Sequence, residues 1–261
     1  MKYTFFSCII LMFSLISGCD DDSPTVCPDN NCSGHGECKR TSMGDYWCDC
    51  EEGYVFRSSD YSCWFDDYVN NDNYKPVIYL YPVEKTVVNV AFTNPENVSL
   101  TYTYPQYKDN GWTVTAWPDG TLESDSREYY SLFWEGPTID NIIFSTGFSV
   151  SYDETIPFLE DALLKLGLND FEAQEFIIYW LPILGESPHN LIYFAVKDWM
   201  DAIPLTITPV PDTQIRFIMI YKPMVEPISI LPQQFFSPER TGFTLVEWGG
   251  RKENGEYRGQ K

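Results

Sequence analysis

Between residues 75 and 250 apolar and polar positions alternate with a period of two, the spacing of strands that bury one face. Nine runs carry the pattern: Val77–Tyr81 (VIYLY), Thr86–Phe92 (TVVNVAF), Val98–Tyr104 (VSLTYTY), Trp112–Ala116 (WTVTA), Tyr129–Trp134 (YYSLFW), Leu191–Phe194, Leu205–Thr208, Ile215–Tyr221 (IRFIMIY) and Phe243–Trp248 (FTLVEW). Branched and aromatic residues fill them and Pro, Gly, Asn or Asp bound them, so nine strands are predicted. Turns at Asp109-Asn110-Gly111 and Pro118-Asp119-Gly120 suit hairpins between successive runs, which predicts a mostly antiparallel sheet.

One stretch changes period. From Asp153 to Leu181 apolar residues fall at Phe158, Ala162, Leu163 and Leu166, then at Phe176, Ile177 and Trp180, which is helical spacing. Gly167 suits the left-handed end of a first helix, and Asn169 with Glu172 three residues on suits a capping box for a second. The helical hairpin is predicted to end at Pro182, where the ring stops the helix. Strands, a helical pair and strands again predict an α+β domain over 75–250, with the helices on one face of the sheet.

The N-terminal quarter is built differently. After Met1-Lys2 the run Phe5–Ile16 holds twelve apolar or small residues, fewer than the roughly 20 needed to span a bilayer, and predicts a signal peptide over 1–18. Six cysteines (27, 32, 38, 48, 50, 63) lie within 37 residues, and none follows from 64 to 261. Such density in an apolar-poor segment predicts a disulfide framework formed in an oxidising compartment. Residues 19–26 form an acidic tether, whose Asp20-Asp21-Asp22 are read as solvated rather than as a calcium site. Residues 65–74 form an acidic, Asn-rich linker, and 251–261 a polar tail.

Leu15-Ile16-Ser17-Gly18-Cys19 resembles the lipobox of bacterial lipoproteins. The resemblance implies cleavage before Cys19, lipid on its sulfur and amino group, and an extracytoplasmic place in a bacterial cell envelope, on a membrane and leaflet left open. The membrane is then a partner through two or three acyl chains, which anchor stably where one does not.

The spacing Cys-x4-Cys-x5-Cys-x9-Cys-x-Cys-x12-Cys over 27–63, with Gly34-His35-Gly36, Tyr46-Trp47 and Glu52-Gly53-Tyr54, resembles an epidermal growth factor-like module over 27–64. Six cysteines alone allow fifteen pairings. The resemblance implies Cys27 with Cys38, Cys32 with Cys48 and Cys50 with Cys63, and makes His35 a turn residue. Further on, Lys75-Pro76-Val77-Ile78-Tyr79-Leu80-Tyr81-Pro82, Leu132-Phe133-Trp134-Glu135-Gly136, Tyr179-Trp180-Leu181-Pro182 and Val246-Glu247-Trp248-Gly249-Gly250 look like an uncharacterised bacterial and fungal domain family, which implies domain bounds and no activity.

Charge and residue supply narrow the chemistry. The 261-residue chain carries 17 Lys+Arg against 38 Asp+Glu, a net −21 that repels phosphate backbones and predicts no nucleic-acid partner. Residues 75–248 hold 9 basic and 23 acidic residues, a net −14. The large domain has no Cys, His189 alone as imidazole, no Gly-x-Ser-x-Gly elbow and no Gly-rich phosphate loop. No metal and no cofactor are predicted.

Carboxylates remain. Glu135 beside Trp134, Glu175 five residues before Trp180 and Glu247 beside Trp248 match the acid-and-indole composition of glycosidases. The competing structural reading buries the indoles and turns the carboxylates outward. In Phe243–Trp248 alternation puts Glu247 on the face of Leu245, which predicts a buried glutamate paired with Arg216 or Arg240. Two glutamates about 5–9 Å apart in one cleft favour an enzyme, whereas an exposed aromatic patch without such a pair favours binding. The expected function is recognition or adhesion toward a glycan, peptide or envelope partner. A glycan hydrolase and a structural envelope protein are the alternatives, and oligomeric state is left open.

Overall fold

The computed structural model describes residues 31–40, 46–51, 54–57, 62–65, 72–109, 111–140, 142–236 and 238–253. The expected signal peptide, Cys19, the tether and Cys27 lie outside the described residues, as does the tail beyond 253. The chain divides into two compact units, Met1–Phe65 and Asp66–Lys261.

The first unit holds two antiparallel hairpins, β1 (Gly36–Arg40) with β2 (Tyr46–Cys50) and β3 (Tyr54–Arg57) with β4 (Ser62–Phe65). Cys32 bonds to Cys48 and Cys50 to Cys63. Cys38 is also disulfide-bonded, to a residue outside those described. Among the described residues the buried cluster of this unit is Cys32, Cys48 and Cys63, with Cys38 and Cys50 against it. Among the described residues cystine stands where a larger domain has an aliphatic core, each bridge contributing ~2–4 kcal/mol.

The second unit contains β5 (Asp72–Tyr81), β6 (Thr86–Phe92), β7 (Tyr102–Tyr104), β8 (Trp112–Ala116), β9 (Leu122–Ser124), β10 (Arg127–Tyr129), β11 (Leu132–Pro137) and β12 (Phe148–Ser151). Helices α1 (Thr155–Lys165) and α2 (Asp170–Leu184) follow, then β13 (His189–Ala195), α3 (Lys197–Ala202), β14 (Leu205–Thr208), β15 (Thr213–Met224) and β16 (Thr244–Lys252). The strands form a seven-stranded sheet, β12-β13-β15-β16-β5-β11-β7, and a five-stranded sheet, β10-β9-β8-β6-β14. Among the described residues the named strands pair antiparallel except β15 with β16.

Three layers result: helices, seven-stranded sheet, five-stranded sheet. On β15, Ile215, Phe217, Met219 and Tyr221 join the core under α1 and α2, while Ile218 and Ile220 join the core between the sheets. The strand is buried on both faces, which explains its nearly continuous apolar sequence. The helical pair covers one face of the sheet, as the sequence predicts, and a second sheet covers the other.

The unit is α+β, with several departures from the predicted elements. Tyr129–Trp134 is two strands: β10 ends at Tyr129 in the small sheet and β11 begins at Leu132 in the large one. Val98–Tyr104 keeps only β7 as strand, because the bulge at Gly136 leaves Ser99 and Thr101 bonding irregularly to Pro137 and Glu135. Pro118-Asp119-Gly120 does join β8 to β9 as a hairpin, but Asp109-Asn110-Gly111 leads from one sheet to the other. Strand β5 begins at Asp72, inside the segment read as linker, where Asp72 and Asn73 pair with Pro137 and Gly136. Strand β16 likewise runs past 250 to Lys252.

Gly167 (φ 97°) closes α1, and at α2 the Asn169 side chain and the Glu172 carboxylate exchange 2.9 Å bonds with each other's backbone N–H. Helix α2 continues through Pro182 to Leu184, since a proline in the last turn removes a single ladder bond. The short α3 was not predicted. Among the described residues no helix is long and apolar enough to cross a membrane.

Candidate functional site

The three glutamates singled out by sequence separate into two environments. Glu247 lies between the sheets with no exposure. Its Oε1 accepts from Trp134 Nε1 at 3.1 Å, and its Oε2 accepts from Trp199 Nε1 at 3.0 Å and Arg216 Nε at 2.9 Å. Arg216 also donates to the Ile203 carbonyl at 2.7 Å. Of the two arginines proposed for Glu247, Arg216 is the partner. Arg240 instead binds Glu172 and the Gly167 carbonyl at the α1–α2 junction. Glu247 thus has no access to a substrate and is removed from the catalytic candidates.

Glu135 and Glu175 meet at opposite ends of Lys75, on the helix side of the large sheet. Lys75 holds φ 50° within β5, a left-handed backbone disfavoured for lysine and more so before Pro76. Its N–H, turned out of the ladder, donates to Glu135 Oε1 at 3.1 Å. Its ammonium lies 3.3 Å from Glu175 Oε1, 5.0 Å from the Tyr179 ring centroid and 5.6 Å from that of Trp248.

Glu175 is held further by the hydroxyls of Tyr79 and of Tyr130, the latter at 2.9 Å. Burial, and then the bond to Glu175, pushes both phenol pKa values up, so each hydroxyl keeps its proton and donates. Four motif segments converge here. A Cβ on Gly249 would press on Pro76 and one on Gly250 would lie 2.4 Å from the Trp180 ring, so this Gly-Gly pair permits the close packing.

Beside Lys75 the sheet is wider than its helical cover. The buried residues under the helices come from β5, β12, β13, β15 and β16, and none from β11 or β7. The uncovered end forms a cleft of about 300 Å³ with Val77 and Phe133 as floor and Tyr104, Tyr129 and Tyr130 as walls; Glu128, Ser131 and Lys75 add polar groups. Tyr104 and Tyr129 meet edge to face at 5.2 Å. Tyr130 stands against Phe171 of α2 at 6.5 Å, and Arg127 Nη1 donates to the Tyr104 hydroxyl at 3.1 Å. Tyr104 and Tyr130 remain 53% and 55% exposed, which makes this an aromatic surface rather than core.

Neither Glu135 nor Glu175 lines the cleft, and each is engaged by donors of its own chain. The sequence reading missed Lys75, Tyr104, Glu128, Tyr129 and Tyr130. The available signal was the Tyr129-Tyr130 pair, which breaks strict alternation at the switch between sheets. A larger cavity, about 560 Å³ between β12, α1 and residues 228–232, is mainly apolar, and its one carboxylate, Glu154, bonds to Ser151 at 2.8 Å. The sulfurs of Cys32, Cys48 and Cys63 lie within 4.8 Å of one another, but disulfide sulfurs offer no thiolate to a metal.

Fold and cystine pattern define a disulfide-rich module followed by an α+β domain, and the EGF-like domain family matches residues 27–58. A Butyrivibrio fibrisolvens protein described as "Uncharacterized protein in bglA 3'region" is 39% identical over 66 residues, 25% of this chain and 68% of that protein. The chain belongs to the same family as that protein. No solved structure matches the chain.

Proposed function

We propose that this protein is a lipid-anchored, extracytoplasmic recognition protein, held to a bacterial membrane through Cys19 and presenting the cleft of its large domain to a ligand outside the cell. The carrying observation is the tyrosine-walled cleft, exposed at Tyr104 and Tyr130 and unaccompanied by a free carboxylate pair. Glu175 is occupied by Lys75, Tyr79 and Tyr130, and Glu135 by a backbone amide, which weighs against hydrolysis by paired carboxylates. The cystine-based first unit agrees with an oxidising compartment. The test is adhesion of proteoliposomes bearing the full-length protein to immobilised extracellular polymers. Wild type should adhere and a Tyr104→Ala, Tyr130→Ala double variant should not; equal adhesion by both contradicts the reading.

A further inference from the structure

We infer that the cleft takes a neutral sugar ring, an inference that rests on the recognition reading and names its ligand. The walls are tyrosine rings, a residue type whose faces suit the C–H face of a pyranose, and a volume of 300 Å³ lies at the small end of the ~300–1,000 Å³ range of ligand pockets. The polar groups are arranged for hydroxyls. Tyr104 accepts from Arg127, which leaves its proton to donate. Tyr130 donates to Glu175, so toward a ligand its oxygen can only accept, a capacity it shares with the Ser131 hydroxyl. One donor and one acceptor therefore stand on neighbouring aromatic walls, the pairing that a ring hydroxyl and its neighbour satisfy.

Charge points the same way. The Lys75 ammonium is already paired with Glu175 and covered by Tyr179 and Trp248, so it presents no free cation to a carboxylate or sulfate. The net −14 over 75–248 repels acidic polysaccharides at longer range. Arg127 and Glu128, both exposed and adjacent in β10, carry opposite charges that sum to zero. Glu175 is a positioning residue: from α2 it fixes the Tyr130 hydroxyl while Phe171, one turn earlier on the same helix, fixes the ring.

The experiment is calorimetric titration and saturation-transfer NMR on the full-length protein in detergent. The probes are neutral cello-, xylo-, manno- and chito-oligosaccharides, acidic oligogalacturonate, and a lysine-rich peptide. Saturable binding of at least one neutral oligosaccharide is expected, with magnetisation reaching its ring C–H protons. Tyr104→Ala should weaken it ~tenfold or more. Tyr104→Phe, which keeps the ring and loses the donor, should weaken it about fivefold. Phe236→Ala, an exposed aromatic outside the cleft, should leave it unchanged.

Tyr104-dependent binding of oligogalacturonate or peptide alone overturns the neutral-sugar assignment and leaves the recognition reading standing. Absence of all binding, or binding insensitive to Tyr104→Ala in a variant with wild-type melting, overturns both.

Discussion

Arg216 Nη2 lies 2.8 Å from Glu247 Oε2 in an ion pair sealed between the two sheets, with side-chain exposures of 2% and 0%. Two indole N–H groups and one carbonyl complete it, so no charge is left uncompensated. Removing one partner strands the other in a medium that solvates it poorly. Glu247→Ala is expected to destabilise the large domain by ~3–5 kcal/mol, and Glu247→Gln, though isosteric, by a comparable amount because Arg216 loses its counter-charge. Thermal denaturation checks this; a Glu247→Gln domain that melts with wild type contradicts the account of the pair.

Tyr79 predicts an alkaline limit to stability. Its folded pKa lies far above the usual value near 10, chiefly from burial and then from the bond to Glu175. A group raised on folding stabilises fully below its unfolded pKa, and that contribution falls as pH rises beyond it. Melting temperature should therefore hold through pH 9 as far as this group is concerned and decline above about pH 10. Tyr79→Phe should be less stable at neutral pH and show a shallower alkaline decline. An unchanged alkaline slope in Tyr79→Phe would exclude this tyrosine as the cause.

Reductant should separate the two units. The first depends on Cys32–Cys48 and Cys50–Cys63, whereas the sequence from 64 to 261 contains no cysteine. Dithiothreitol should abolish the amide dispersion of the first unit in NMR spectra and leave that of the second. One cooperative loss of both would contradict independent stability.

The anchor proposal makes a cellular prediction. Cys19→Ala should shift the protein from the membrane fraction to the soluble extracytoplasmic fraction and abolish incorporation of labelled fatty acid. Retention of the label in the variant would place the lipid elsewhere.

How much was legible in sequence follows from local physics. The Asn169–Glu172 capping box and the Gly167 helix end were readable because their geometry is set within four residues. The Glu247–Arg216 pair was readable as one of two options because alternation fixed the face but not the partner strand. The second sheet was not readable: β6 and β11 both alternate, and nothing local tells which sheet a strand joins. The cleft was hidden for the same reason, since Tyr104, Tyr129 and Tyr130 meet only once β10 and β11 part into different sheets and the helices stop short of β11.

The most direct test of recognition against hydrolysis is a single incubation of the full-length protein with the neutral oligosaccharide it binds best, followed for both bound ligand and new reducing ends. The account predicts saturable binding, lost with Tyr104→Ala, and no product from wild type at any time. New reducing ends from wild type that disappear in Glu175→Gln, with melting behaviour unchanged, would contradict it and make Glu175 a catalytic group.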